Sequence, residues 1–408
     1  MPSQDDSAPA SILHQPKAVW AIAFACTVSF MGIGLVDPIL PAISRDLNAT
    51  ASQTMLLFTS YLFITGIAMF FTGWLSSRIG TKKTLLAGLL LIVVFSALAG
   101  ASASVNQIID FRAGWGLGNA LFISTALAAI VGAASGGSKQ AIVLYEAALG
   151  VGLAVGPLVG GVLGSFSWRA PFFGTATLML LGLLAILLVY PRETTPAPSA
   201  KQDFWAGLKS LRYAALRRLA LIAFFYNFSF FILLAYSPYP LEEAAAARGL
   251  NFGAHELGYV FFGWGFALAL ASVLIAPKLT QRFSLKSILL CMFTLLLLAM
   301  AVCALFFDAL STLIIAVILA GGFQGVLNTV LTESVMEATD LPRSVASSSY
   351  SGVRFIGGAI APLVAGPLAA ATFAGAPYWL AVAALLLSLI LTLISNLGHP
   401  RVVMSGKA

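Results

Sequence analysis

The sequence predicts an all-α membrane protein, with twelve transmembrane helices in two pseudo-symmetric six-helix bundles. Three observations predict it. Apolar types make up 60% of the 408 residues and charged types only 9%, against roughly 45–50% and about 25% in ordinary globular chains. Mean hydropathy is +0.96. So few charges cannot cover a water-facing surface, whereas a lipid-facing one tolerates their scarcity. Apolar runs of about 20 residues, the length that crosses a hydrocarbon core, recur along the whole chain. The two halves also repeat one another. The same composition excludes disorder, a collagen-like fibre and a disulfide scaffold.

The twelve spans begin near Val19, Met55, Thr84, Val105, Lys139, Pro171, Leu219, His255, Leu285, Leu310, Ser344 and Pro377. The fifth and eleventh are rich in Gly, Ala and Ser, types common where membrane helices pack closely. No period of two is present, which excludes an outer-membrane barrel. Residues Met1 to Gln15 are polar, hold Asp5 and Asp6, and have no basic leader. No cleavable signal peptide is therefore expected.

Basic residues set the orientation. With the N-terminus inside, the outer loops hold only Arg45, Arg169 and Arg248, and the spans hold Arg112 and Arg354. The remaining 17 of the 22 Lys and Arg fall on inner segments. A multi-pass inner (cell) membrane protein with both termini cytoplasmic is expected. This distribution also accounts for the net charge of +7 as orientation and anionic-lipid contact. No compact basic domain exists to bind nucleic acid.

The longest inner loop divides the spans six and six. It separates an N-terminal bundle (1–190) from a linker (191–218) and a C-terminal bundle (219–408). Its stretch Phe204-Trp205-Ala-Gly-Leu208-Lys-Ser-Leu211-Arg has helical apolar spacing with basic residues between, and suits a helix on the inner membrane surface. Across the halves, Leu75, Arg78, Lys82, Leu85 and Leu86 match Leu279, Arg282, Lys286, Leu289 and Leu290 at an offset of 204. Tyr145, Gly152, Pro157, Leu158, Val159 and Gly161 match Tyr350, Gly357, Pro362, Leu363, Val364 and Gly366 at 205. Duplicated membrane halves enclose a path at their interface and move as two bodies. That organisation favours a carrier over an anchor or a receptor.

Enzyme chemistry has little support. No GxxxxGK[ST] phosphate loop occurs. Gly114-x-Gly116-x-Gly118 sits inside an apolar span and follows no strand, so it is not a dinucleotide turn. His14, His255 and His399 are scattered, and Cys26, Cys291 and Cys303 read as small buried hydrophobes. No metal site, cofactor or catalytic residue is expected.

Three motifs resemble those of the major facilitator superfamily, within its twelve-span drug:proton antiporters and a bacterial multidrug exporter branch. Gly73-Trp-Leu75-Ser-Ser-Arg78-Ile-Gly80-Thr-Lys82-Lys83 is similar to the family's loop between spans two and three. Arg112-Ala-Gly-Trp-Gly116-Leu-Gly118 is similar to its span-four motif. Gly152-Leu-Ala-Val-Gly156-Pro157-Leu-Val-Gly160-Gly161 is similar to the span-five signature of exporters, and Asp37-Pro-Ile-Leu-Pro41 fits the end of span one. Ser77 stands where the family's loop has a gating acid, Thr81 where it has Arg, and Trp115 where it has Gln. The resemblance implies a proton-coupled exporter of small hydrophobic or amphipathic compounds working by alternating access. A carrier of one defined solute, such as a sugar or metabolite, is the alternative, and a non-transporting sensor or scaffold is a third reading. A small-molecule substrate, protons and the bilayer are the expected partners, and a monomer the expected state.

Several constellations are candidates for that chemistry. Gly152, Gly156, Gly160 and Gly164 share one helix face, where backbones can approach, and Pro157 can bend the helix. They read either as a hinge or seal or as ordinary packing. Arg112 lies roughly 10 Å deep, at 1.5 Å per residue from the outer end of its span, where a charge is normally paired. Asp37 is its expected near neighbour, as a proton site or a fixed structural partner. Asp110, two residues from Arg112, is expected to point elsewhere, toward outer water. Glu146 is the leading acid, since an embedded carboxylate can exchange a proton at cellular pH; substrate contact and a structural hydrogen bond stay open. Asn119, Phe122, Tyr145, Tyr226, Asn227, Phe230, Gln324, Asn328, Tyr350 and Arg354 are candidates for lining a substrate cavity, because aromatic and amide groups suit varied amphipathic ligands. Helix packing is the competing reading for each. Glu242, Glu243 and Glu256 are expected on a solvated outer face. Glu333 and Glu337 are expected to face water or pair with basic loops.

Overall fold

The computed structural model describes residues 15–134, 138–190, 203–338, 341 and 343–395, without the side chains at 128, 138–143, 146, 343 and 344. Among the described residues every regular element is helical. The N-terminal segment 1–14, the first part of the expected linker (191–202) and the last residues (396–408) lie outside them.

The first span is broken. Helix α1 (Lys17–Gly34) ends before Asp37, a 3-10 turn covers Asp37–Ile39, and α2 (Leu40–Asp46) completes the crossing. Pro38 and Pro41 stand in the first turns of the last two pieces, where a missing N–H costs nothing. Helix α3 (Ala51–Ile79) opens on a capping box, in which Thr50 Oγ1 accepts from Gln53 N and Gln53 Oε1 accepts from Thr50 N. It ends at Gly80, whose φ of +90° is a region glycine reaches freely. Helices α4 (Thr81–Ala101), α5 (Val105–Ala133), α6 (Ser138–Phe166) and α7 (Ala170–Val189) complete the first half.

In the expected surface helix, α8 (Ala206–Ser210) forms. Then follow α9 (Ala214–Tyr236), α10 (Pro238–Ala246), α11 (Ala254–Leu270), a π segment (Ala271–Ile275), α12 (Ala276–Thr280), α13 (Leu285–Leu305), α14 (Leu310–Ala338), α15 (Arg343–Ala371) and α16 (Ala376–Leu393). Among the described residues eleven spans are long and apolar enough to cross a membrane. The twelfth expected span, α5, is a 29-residue helix that falls outside this count. It carries Asn106, Gln107, Asp110, Arg112 and Asn119 along its length. Outward faces are apolar: Leu188 is 85% exposed and Leu181 53%, which suits lipid rather than water.

The two halves pack alike. Helix α6 packs on α1, α5 on α3 and α4, and α7 on α4; in the second half α15 packs on α9, α14 on α11 and α13, and α16 on α13. Two seams join the halves, α3 against α15 and α6 against α11. The linker end is the end carrying α8; the far end carries α2 and α10. Helix α8 lies over the α3–α15 seam. The Phe204 ring stacks on Phe71 of α3 at 4.5 Å, and Ser210 Oγ donates to Ser349 Oγ of α15 at 2.8 Å.

Candidate functional site

The glycine face of α6 is built against α1. A Cβ on Gly152 would meet Thr27 O at 2.5 Å, and one on Gly156 would meet Met31 O at 2.6 Å; Gly160 abuts Leu35 and Gly164 abuts Ile39. Every fourth residue of one segment thus meets every fourth of the other, within the same half. Gly161 instead faces the other half, with its Cβ position 2.6 Å from Ala254 O and 2.7 Å from Gly258 Cα. The matched Gly357 approaches Phe224 of α9 as Gly152 approaches α1. Pro157 sits inside α6, where a Cβ on Gly34 would lie 3.0 Å from its Cδ and 3.6 Å from Asp37 Oδ2.

Between the halves lies a cavity of about 520 Å³. Its apolar wall includes Phe30, Leu153, Phe230, Phe231 and Leu268, and its polar wall includes Asn227, Asn328, Glu333 and Arg354. Ala147, Pro277 and Met336 also line it, so it extends toward the linker end. The far end is closed. There the Asp37–Ile39 turn packs on α6 and α11, Arg45 pairs with Glu242, and Thr54 shares a hydrogen bond with Tyr239.

Four of the ten cavity candidates line this space: Asn227, Phe230, Asn328 and Arg354. Asn227 Nδ2 donates to Arg354 O at 2.8 Å, joining α9 to α15. Tyr226 lies behind the wall and donates to Asn328 Oδ1 at 3.0 Å. Gln324 is buried and accepts from Trp264 Nε1 at 2.7 Å. Asn119 is buried and accepts from Ser29 Oγ at 2.7 Å. Phe122 is fully buried, Tyr145 packs edge-on against Phe30, and Tyr350 is buried within the field of Arg354.

Asp37 and Arg112 share a buried region and feel each other's charge, but they form no ion pair. Neither Asp37 oxygen, nor Arg112 Nη1 or Nη2, has a hydrogen-bond partner. Arg112 lies instead 4.3 Å from the Tyr61 ring and 4.6 Å from the Trp115 ring, and its Nε donates to Leu57 O at 3.4 Å. Cation–π contact of this kind is worth up to about 2 kcal/mol when desolvated. Glu146 belongs to α6, but its side chain lies outside the described set.

Other motif residues serve the helix frame. Ser77 Oγ donates to Trp74 O of its own helix at 2.7 Å, so it offers no bond across the halves. Arg78 is exposed and lies over Trp74; Gly73 belongs to the last turns of α3. Lys82 donates to Tyr190 O at the end of α7. Asp110 is exposed, Glu243 is exposed, and Glu256 accepts from Gly253 N at the start of α11. Glu242 is paired with Arg45 rather than simply solvated.

One expectation is corrected. Cys291 is exposed on the outside of α13 rather than buried, whereas Cys26 and Cys303 are buried. Glu333, expected to face water or pair with a basic loop, lines the cavity and is half-buried. The π segment was equally missed, although Pro277 just after it, which has no N–H to give the preceding turn, was a signal for it.

An all-helical, duplicated, lipid-facing frame around a central cavity defines a multi-pass membrane carrier. The model of the Major Facilitator Superfamily matches residues 22–244 and 239–402, and the chain belongs to that family; it is a transporter and not an enzyme. Over 367 residues it is 52% identical to the multidrug efflux protein YfmO of Bacillus subtilis (strain 168), covering 90% of each chain. It is 30% identical over 200 residues to a tetracenomycin C resistance and export protein of Streptomyces glaucescens, covering 46% of this chain and 37% of that one. In solved structures the fold resembles the human organic anion transporter MFSD10, with a TM-score of 0.70 at 18% identity, covering 92% of this chain and 99% of that one. It also resembles the nucleoside transporter NupG, with a TM-score of 0.76 at 12% identity and the same coverage.

Proposed function

We propose that this chain exports small hydrophobic or amphipathic compounds in exchange for protons, by alternating access of two six-helix bundles (1–190 and 219–408) joined by the linker 191–218. The observation that carries the reading is the cavity between the halves, walled by aromatic and aliphatic side chains with few polar groups. Such a wall holds varied amphipathic ligands by area and stacking; a carrier of one polar solute needs a denser set of hydrogen bonds to select it. The similarity to YfmO supports the same reading. The basic-residue distribution supports a cytoplasmic linker end with both termini inside, and on that orientation the cavity opens inward. The protein works as a monomer, since its path lies within one chain.

Asp37 and Glu146 are the coupling carboxylates of this proposal. Asp37 is buried beside Pro157, within the field of Arg112 but not bonded to it, where gain or loss of a proton changes its attraction to Arg112. Proton release in inside-out vesicles tests the reading, with a pH dye reporting an imposed acid gradient. Several unrelated lipophilic compounds discharge the gradient, and Asp37→Asn or Glu146→Gln abolishes the discharge. A single effective solute would instead favour the defined-solute carrier.

A further inference from the structure

We propose that the groove beside the π segment, on the lipid-facing side of the second half, binds one anionic phospholipid. Lys278 and Arg282 hold its phosphate, and Leu270, Leu274 and Ile275 carry its acyl chains. The site is distinct from the cavity between the halves and does not depend on the exporter reading.

The groove encloses about 660 Å³. Its wall is apolar over Leu270, Leu274, Ile275 and Phe283, which are 44%, 51%, 45% and 56% exposed. Its linker-end edge is basic, with Lys278 and Arg282 both exposed. An apolar wall below a pair of cations matches a phospholipid, chains beside the helix and headgroup at the membrane surface. Leu274 and Ile275 come from the π turn, where Ala276 N donates to Ala271 O, five residues back. Both cations are unengaged: neither side chain has a hydrogen bond or ion pair with any described residue. Lys286, by contrast, is held by Leu393 O and Ser395 O. The sequence has no Asp or Glu between Glu256 and Asp308, so no acid of α11, α12 or α13 beyond Glu256 offsets them. Four residues apart, they share a face, and an ammonium beside a guanidinium suits a phosphate.

The repeat shows what the groove lacks. At the offset of 204, Ile275 matches Phe71 and Lys278 matches Trp74. In the first half the linker covers both positions: the Phe204 ring stacks on Phe71 at 4.5 Å and stands edge-on to Trp74 at 5.1 Å. No described aromatic ring covers Ile275 or Lys278. Residues 396–408, at the same offset from 192–204, hold Arg401 and Lys407 and no acidic side chain, so like charge opposes them at this edge. An anionic lipid satisfies both the bare wall and the charge. With the linker end inside, its headgroup belongs to the cytoplasmic leaflet, where anionic lipids gather.

The test is native mass spectrometry of the purified full chain, with phosphatidylglycerol and phosphatidylcholine of the same chains added in turn. The unchanged protein is expected to favour phosphatidylglycerol by about tenfold, as two basic contacts to one anionic headgroup imply. Lys278→Gln with Arg282→Gln brings the two lipids within about twofold of each other. Lys83→Gln with Arg218→Gln removes two other exposed linker-end charges and keeps the preference, as does the exchange Lys278→Arg with Arg282→Lys. Leu274→Trp fills the apolar wall and weakens phosphatidylglycerol although every charge remains. Glycerol phosphate, the same headgroup chemistry without chains, does not displace the lipid. Equal binding of both lipids by the unchanged protein, or an equal loss of preference in the Lys83 and Arg218 variant, would overturn the proposal. So would displacement by glycerol phosphate, which marks a soluble-anion site, or a dimer abolished by Leu274→Trp, which puts a second copy on the groove.

Discussion

Lys82 and Lys286, 204 positions apart and matched in the repeat, do the same work in the two halves. Lys82 Nζ donates to Tyr190 O, and Lys286 Nζ donates to Leu393 O at 2.8 Å and Ser395 O at 2.7 Å. Each ammonium closes the C-terminal end of the last long helix of its own half. A cation at a helix C-terminus contributes roughly 0.3–1 kcal/mol at the surface and up to about 2 when partly buried. Lys82→Met and Lys286→Met should therefore lower the thermal midpoint of the purified protein by similar amounts. Fluorescence-detected gel filtration after heating measures this, and a large loss for one and none for the other would break the equivalence.

The α6–α1 contact makes a sharper prediction. Gly156 leaves no room for a side chain above Met31 O, whereas Gly322 of α14 has open space around it. Gly156→Leu forces the helices apart, and overpacking of this kind costs typically 1–3 kcal/mol or more. It should remove most of the monodisperse protein, while Gly322→Ala should leave the elution profile unchanged.

The aromatic cradle of Arg112 depends on rings, not on hydroxyls. Tyr61 Oη has no hydrogen-bond partner, so Tyr61→Phe should keep the thermal midpoint near that of the unchanged protein. Tyr61→Leu removes a ring face from a buried guanidinium, at a cost of about 2 kcal/mol by the strength of such contacts. A midpoint that falls equally for both variants would show that the hydroxyl matters.

The docking of α8 carries a pH dependence. A side-chain hydrogen bond from Lys209 holds the Asp203 carboxyl below its usual range. A group whose folded pKa is depressed contributes stability above the ordinary carboxylate pKa of about 3.9, lost as the pH falls toward the lower folded value. Both side chains are exposed, so the effect is small and screened by salt. Trp205 fluorescence should change as acid is added, at a lower pH in the unchanged protein than in Lys209→Ala.

Much of the frame was legible because membrane spans and glycine spacing are local signals. The twelve long helices begin within about five residues of their expected starts, and the fourfold spacing of Gly152, Gly156, Gly160 and Gly164 announced a close helix contact. Which helix it would meet was not legible, since that depends on packing across the chain. The break after Gly34 had a local signal in Asp37-Pro38 and Pro41, but the apolar Leu35, Val36, Ile39 and Leu40 around them let the span read as one helix. The cavity was harder still. Tyr226, Asn227 and Phe230 are sequence neighbours on α9, yet only the latter two reach the cavity. Periodicity tells faces apart, but it does not tell which face meets the gap between halves.

The α6–α11 seam has two close contacts along its length. Leu153 meets Gly265 near mid-membrane, and Gly161 meets Gly258 toward the far end. With the first contact as fulcrum, eight residues at 1.5 Å each give an arm of about 12 Å. A tilt of about 15° on that arm parts the Gly161 contact by about 3 Å, by the same rise per residue, roughly the width of a water molecule. At each point a glycine meets backbone, Gly265 against Leu153 O and Gly161 against Gly258 Cα, so few side chains would have to unlock for the helices to roll. On the alternating-access reading, the gearing between a small rotation and a wetted pathway would then depend on Gly161, Gly258 and Gly265, the positions that carry no side chain.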